Sequence, residues 1–346
     1  MSRTSASLRR RGTSYPVNTW YAIATRDEIG RQPLARRVLD TPVVLYRTQD
    51  GRVVALEDRD AHRPYPLSLG TVDGDTIVSG YSGFAYSPTG ACVHVPTQPH
   101  VPIGAGVKAF PVLEQDGLIW IWLGAAALAH RRNPPHTAWL AGDGWVTLGD
   151  EWETQANLLL LHDNFADITH VPVVDPFIAP PALAGVPPAL EVEVSENAVA
   201  FSRNYPPARL TGWHAEVLGL SSDTEHAQRE EGGFVTPGLW ANAWHVYVDG
   251  DDARTFRFTH AVTPVSSSRT RHVWRVSRNF APNAEVSARL LPIFTAYYRR
   301  VQQILETMQH VIDVDGPRDE VSVNSDAAAL QVRRVVNRMI AEERLA

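Results

Sequence analysis

Cysteine is almost missing from this chain: one residue, Cys92, in 346. That excludes an internal disulfide framework, and it excludes any zinc or iron–sulfur site built from four thiolates. Long apolar runs are missing as well. No stretch reaches the ~18 uninterrupted apolar residues of a spanning helix. The longest candidate, around Leu118–Leu128, contains Gly124 and reads as strand plus turn. Excess positive charge is absent, the formal balance being −6 at pH 7. Nucleic acid therefore has no electrostatic footprint to bind, and the basic run Arg9–Arg11 is too short to supply one. Met1 to Thr13 is polar and basic without the apolar segment of a secretory signal, so residues 1–14 read as a disordered tail. With no lipidation signal at either end, the expectation is a cytoplasmic protein without membrane or nucleic-acid partners.

What is present is an ordinary globular composition, 44% apolar and 20% charged, at a length that suggests two domains. From Tyr15 to about Gly124, short β-branched or aromatic runs alternate with turn signals. Trp20–Thr25, Pro42–Arg47, Val53–Asp58, Thr76–Gly80, Ala91–Pro96, Val107–Leu113 and Leu118–Leu123 read as strands. Between them stand Gln49-Asp50-Gly51, Asp73-Gly74-Asp75, Pro88-Thr89-Gly90 and Gln115-Asp116-Gly117. Strands this closely spaced predict an all-β domain over residues 15–125, a barrel or a sandwich. Ala125–Pro135 reads as a linker. In residues 136–346 the classes mix into an α+β pattern. Thr154–His170 reads as a helix stopped by Pro172 and Pro176. Leu190–Asn204, Trp240–Asp249, Arg254–Thr263 and His272–Asn279 read as strands of an antiparallel sheet. Two helices close the chain, Ala284–Gln309, with a break expected at Pro292, and Asp326–Glu343. Proline-rich Pro180–Pro188 and Tyr205–Pro207 are expected to interrupt any long element. There is no internal repeat.

Two loops carry the most specific signal: Asp60-Ala61-His62-Arg63 and Ser79-Gly80-Tyr81-Ser82-Gly83. Together with the segments 15–21, 43–47, 53–59, 66–70, 88–90 and 117–122, they resemble the Rieske non-haem iron oxygenases, specifically the group of the vanillate O-demethylase oxygenases. The resemblance covers the whole β domain and implies a Rieske-like β domain followed by a helix-grip α+β domain. In that family the loops read Cys-x-His and Cys-x-x-His and hold a [2Fe–2S] cluster. The four positions here are Asp60, His62, Ser79 and Ser82, of which only His62 matches. Serine is a poor ligand for soft metals, and Cys92 lies on the following strand. The expectation is therefore a polar cluster without [2Fe–2S], with Tyr65, Tyr81 and Phe84 filling space around it.

The stretch 163–172 resembles the family's mononuclear iron motif, Asp-Asn-x-x-Asp-x-x-His-x-x-x-x-His. The first ligand falls on His170, the second on Asp175, and the third, a carboxylate in the long C-terminal helix, on Val301, or on Gln302 with a one-residue slip. Asp163, Asp167 and His170, spaced i, i+4, i+7, are expected on one helical face. In the family an aspartate, here Asp167, carries electrons between subunits. With one histidine matching, neither a mononuclear iron nor a reductase partner is expected, and a non-iron metal at His170 and Asp175 is left open.

The candidate catalytic groups are then His170, with Asp175 as its orienting carboxylate, and Asp167 and Asp163. The candidate substrate-binding groups are Asn164, Trp213, His214, His245, Tyr247 and His260, with Trp244 beside them. The leading expectation is a metal-free, non-redox enzyme of secondary metabolism acting on a small aromatic or polycyclic organic substrate. Cyclisation, isomerisation, elimination or hydrolysis by acid–base catalysis would fit. Two alternatives stand beside it: a catalytically silent subunit scaffolding an active homologue in a hetero-oligomer, and a true oxygenase with unusual ligands. Family members form head-to-tail trimers, which implies a homotrimer.

Overall fold

The computed structural model describes residues 15–250, 252–316 and 318–345. The expected tail, residues 1–14, lies outside them. The fold is α+β, an all-β unit followed by a larger unit of one antiparallel sheet and helices.

The first unit spans residues 17–136. In chain order its strands are β1 (Trp20–Thr25), β2 (Leu34–Val38), β3 (Thr41–Arg47), β4 (Val53–Glu57) and β5 (Thr71–Asp73). There follow β6 (Thr76–Val78), β7 (Ala85–Tyr86), β8 (Cys92–His94), β9 (Val112–Gln115) and β10 (Leu118–Trp122). They make three small antiparallel sheets, ordered β1-β10-β9, β2-β3-β4 and β5-β6-β7-β8. Every residue of β10 is buried, and Trp122 meets Trp20 edge-on at 5.4 Å. Val44, Tyr46, Leu56, Leu67, Ile77 and Tyr86 form a second core beneath the two singled-out loops. The expected strand Val107–Leu113 is corrected to Val112–Gln115, because residues 107–110 make only isolated bridges and loop hydrogen bonds. A short α1 (Ala126–Ala129) lies in the expected linker.

The second unit spans residues 137–346 and includes residues 15 and 16. Its strands are β11 (Val146–Thr154), β12 (Glu191–Val194), β13 (Val199–Arg209), β14 (Glu225–Thr236), β15 (Leu239–Asp249), β16 (Asp252–Ser266) and β17 (Arg269–Arg278). They form one sheet in the order β11-β17-β16-β15-β14-β13-β12. Its helices are α2 (Leu158–Ala166), α3 (Val171–Val174), α4 (Gly212–Leu218), α5 (Ala284–Asp315) and α6 (Ala327–Leu345).

Three expectations need correcting here. The expected helix Thr154–His170 is only α2, because Asn157 caps its start by accepting from the Leu160 amide and Asp167 ends it. The Asp167 carboxylate accepts from both the amide and the hydroxyl of Thr169, a local turn that competes with helix continuation. Asp163, Asp167 and His170 therefore do not share one helical face. Tyr205–Pro207 does not interrupt β13; the pairing with β14 shifts register between Tyr205 and Ala208 and so absorbs both prolines. Pro292 does not break α5, whose face of Leu290, Phe294, Tyr298, Val301 and Leu305 stays buried past it.

Candidate functional site

In the first unit the two loops leave β4 and β6 and converge on one carboxylate. Asp60 is 2% exposed. One of its oxygens accepts from the Ser79 and Ser82 hydroxyls, each at 2.5 Å. The other accepts from the Tyr86 phenol at 2.7 Å and the His62 amide at 3.0 Å. Tyr86, on β7, also accepts from the Ala61 amide at 3.0 Å, closing the circuit. Burial alone would raise the Asp60 carboxyl, but its hydroxyl and amide donors hold it below the ordinary carboxylate range. The His62 ring lies outside this network, stacked on Phe84 at 5.2 Å, and Tyr65 stacks on Tyr81 at 5.8 Å. Cys92 is buried, its Sγ 3.5 Å from the His94 carbonyl, and burial raises its pKa.

In the second unit one face of the sheet, together with α2, α4 and α5, lines a cavity. Its walls are mostly apolar: Trp213, Leu218, Trp244, Phe256, Phe258 and Phe294 are among them. Of the predicted substrate-binding groups, Asn164, Trp213, His214, His260 and the neighbouring Trp244 line it. His245 and Tyr247 do not. Successive residues of β15 alternate faces, so Asn242, Trp244 and Val246 face the cavity while His245 points the other way, 2.8 Å from the Thr255 hydroxyl.

His170 stands behind two cavity residues. Its Nδ1 is 2.8 Å from the Asp167 carbonyl, which can only accept, so Nδ1 carries the proton. Nε2 is then the lone-pair nitrogen, accepting from the Asn164 amide at 3.0 Å, with the Tyr297 hydroxyl at 3.4 Å. Burial lowers the His170 pKa below its ordinary 6.5, so the imidazole is neutral at pH 7. Asp175 is not its orienting carboxylate. Its Oδ2 accepts from Arg300 at 2.8 Å and its Oδ1 from the Phe177 amide at 3.2 Å. Asp163 points away as well, paired with Arg333 of α6. Val301 is buried within α5, and Gln302 bonds Glu306 at 2.9 Å.

Sequence reasoning missed the polar groups of β14. Glu230 lines the cavity at 4% exposure, its Oε2 accepting from the Tyr205 hydroxyl at 2.8 Å with Arg203 at 3.6 Å. Burial raises its pKa against the lowering pull of Arg203 and Tyr205. Gln228, also on the wall, accepts from the Trp244 indole at 3.0 Å. Their strand reads Glu-His-Ala-Gln-Arg-Glu-Glu, which as sequence alone suggests an exposed edge.

Four histidines of this unit are buried neutral. Burial lowers His162 and His272 to about 3 and His214 to about 4, and His260, 3.1 Å from His272, is lowered by burial and by that neighbour. The unfolded chain protonates these groups near 6.5, the folded chain only well below it. Stability is thus complete above about pH 6.5 and is lost as pH falls toward 4. Urea midpoints should drop steadily from pH 7 to 4.5, with more than one proton taken up on unfolding. A midpoint that is flat between pH 7 and 5 would contradict the neutral assignment.

Comparison with known proteins completes the site. Residues 19–111 match the Rieske [2Fe-2S] domain family, and residues 154–342 match the vanillate O-demethylase oxygenase C-terminal domain family. The chain is 30% identical, over 94% of its own length and 97% of the relative's, to a putative toluene-4-sulfonate monooxygenase system iron-sulfur subunit of Comamonas testosteroni. It is 28% identical, over 95% of itself and 96% of the relative, to a vanillate O-demethylase oxygenase subunit of a Pseudomonas strain. The structure of dicamba monooxygenase bound to 3,6-dichlorosalicylic acid superposes with a TM-score of 0.87 at 27% identity, covering 95% of this chain and 99% of that one.

These matches correct the expectation of a chain with neither cluster nor iron. The matching domain family is defined by a [2Fe–2S] cluster, one relative is an iron-sulfur subunit, and another solved dicamba monooxygenase structure carries non-haem iron. Membership therefore points to both centres. The side chains at the corresponding positions do not fit the usual donor sets. A Rieske cluster takes two thiolates and two imidazoles, whereas Asp60, Ser79 and Ser82 satisfy one another and His62 stacks aside. At the iron positions Nε2 of His170 is engaged by an amide donor, Asp175 is paired with a guanidinium and Val301 is aliphatic.

Proposed function

This chain belongs to the Rieske oxygenase family, and from that membership we propose that it acts on a small aromatic or polycyclic organic molecule bound in the cavity of its second unit. The observation that carries this reading is the cavity wall: tryptophan, phenylalanine and leucine with a few convergent polar groups, the composition of a site for an apolar ring system. The finer chemistry we propose is proton transfer on that molecule, leading to cyclisation, isomerisation, elimination or hydrolysis. His170 is the base, neutral at pH 7, its proton fixed on Nδ1 by the Asp167 carbonyl. Asn164 and Tyr297 stand between Nε2 and the cavity, and the Tyr297 hydroxyl can relay a proton from substrate to imidazole. Orientation by the apolar walls supplies the rest of the rate.

The test is equilibrium binding of 2-naphthol to the full chain by calorimetry. One saturable site per chain is expected. Val246→Trp, which fills the cavity from β15, should weaken it at least tenfold while the circular dichroism spectrum is retained. Non-saturable uptake, or binding indifferent to the filled cavity in a folded variant, would overturn the reading.

A further inference from the structure

Gln228 is 2% exposed and lines the cavity. The Trp244 indole N–H can only donate, and it donates to Oε1 of Gln228 at 3.0 Å. That bond fixes which end of the amide is which: Nε2 must lie on the opposite side, and there it has no hydrogen-bond partner. A buried donor without an acceptor is costly, and on a residue that lines a cavity a ligand atom can supply the missing acceptor. Two residues further along the same face of β14 stands Glu230, roughly 7 Å away by the strand's rise. Tyr205 and Arg203 hold its Oε2 from one side, and neither engages Oε1. One wall thus presents a fixed donor and, a short distance along, a carboxylate acceptor, both set among aromatic side chains.

Resting on the cavity reading above, we propose that Gln228 and Glu230 select the substrate as a planar, fused-ring molecule bearing a carbonyl oxygen at one end and a hydroxyl at the other. Gln228 Nε2 donates to the carbonyl, and Glu230 accepts from the hydroxyl. The apolar ring system between them lies against Trp244 and Phe256.

The probes are 7-hydroxycoumarin, which carries both groups on two fused rings, 7-methoxycoumarin, which lacks the donor, and 2-naphthol, which lacks the carbonyl. Binding to the full chain is measured by fluorescence and calorimetry. The wild-type protein should prefer 7-hydroxycoumarin about tenfold over each of the others. Glu230→Gln, whose amide oxygen stays with the Tyr205 and Arg203 donors and whose NH2 then faces the cavity, should abolish its preference over 7-methoxycoumarin, and Gln228→Met its preference over 2-naphthol. Because 2-naphthol does not use the carbonyl contact, unchanged 2-naphthol binding in Gln228→Met shows that the cavity is intact. Equal binding of all three probes by the wild-type protein, or variants that weaken all three alike, overturns the assignment and leaves the cavity reading standing. Failure of every probe to bind overturns both.

Discussion

Replacing Asp60 by alanine is expected to destabilise the first unit by about 3–5 kcal/mol, since each buried donor left without its acceptor costs about 1–3 kcal/mol. Four donors lose their acceptor at once: the hydroxyls of Ser79, Ser82 and Tyr86 and the amide of His62. Of the three side chains, Ser79 and Tyr86 are buried, so water cannot fully replace the lost oxygens. In thermal unfolding the transition of this unit should fall by roughly 10–20 °C. Asp60→Asn should fall between wild type and alanine, since an amide oxygen can accept while its NH2 group faces donors. The pH dependence has a definite sign. The folded carboxyl lies below its unfolded value, so its contribution is present above the ordinary aspartate range and is lost as pH falls through the folded pKa. Asp60→Asn should therefore flatten the acid limb of the first unit's stability. An alanine variant within about 1 kcal/mol of wild type would show that the loops are held by something other than this carboxylate.

The network also shows how far a sequence can be read. Asp60, Ser79 and Ser82 were legible as a polar cluster because their identities and spacing sit on two recognisable loops. Tyr86 was not, because its role depends on β7 pairing beside β6 and turning its hydroxyl back to the loop. The sheet of the second unit was legible where strands alternate apolar and polar residues. It was illegible at β14, where Gln228 and Glu230 are buried polar groups in a hydrophilic-looking run. The pairing of His170 with Asp175 failed for a related reason. Sequence distance brings those two close, but Arg300, 125 residues from Asp175, takes the carboxylate first. Local periodicity cannot see a partner contributed by another element, and the charge it supplies decides which contacts form.

His170→Ala is expected to have the largest effect on activity. In the proposed reading the neutral imidazole is the proton acceptor: its lone pair faces Asn164 and Tyr297 while its other nitrogen is fixed, so its loss removes that acceptor and disconnects both residues together. Loss of a positioned general base typically costs about 10²–10⁴-fold in rate. Conversion of substrate in an extract of the producing cells, followed by mass spectrometry, should fall by at least a hundredfold. Binding of 2-naphthol should stay within about threefold, because His170 lies behind the wall and contributes little to it. Tyr297→Phe, which removes only the relay hydroxyl at 3.4 Å, should lose less than His170→Ala and should be partly insensitive to it when the two are combined. The pH profile supplies an independent readout. Burial depresses the His170 pKa, so the acid limb of the rate should lie below pH 6.5 and should disappear from the residual activity of the alanine variant. Undiminished conversion in a folded His170→Ala protein would remove the imidazole from the chemistry and leave the cavity as a binding site whose reacting groups come from elsewhere.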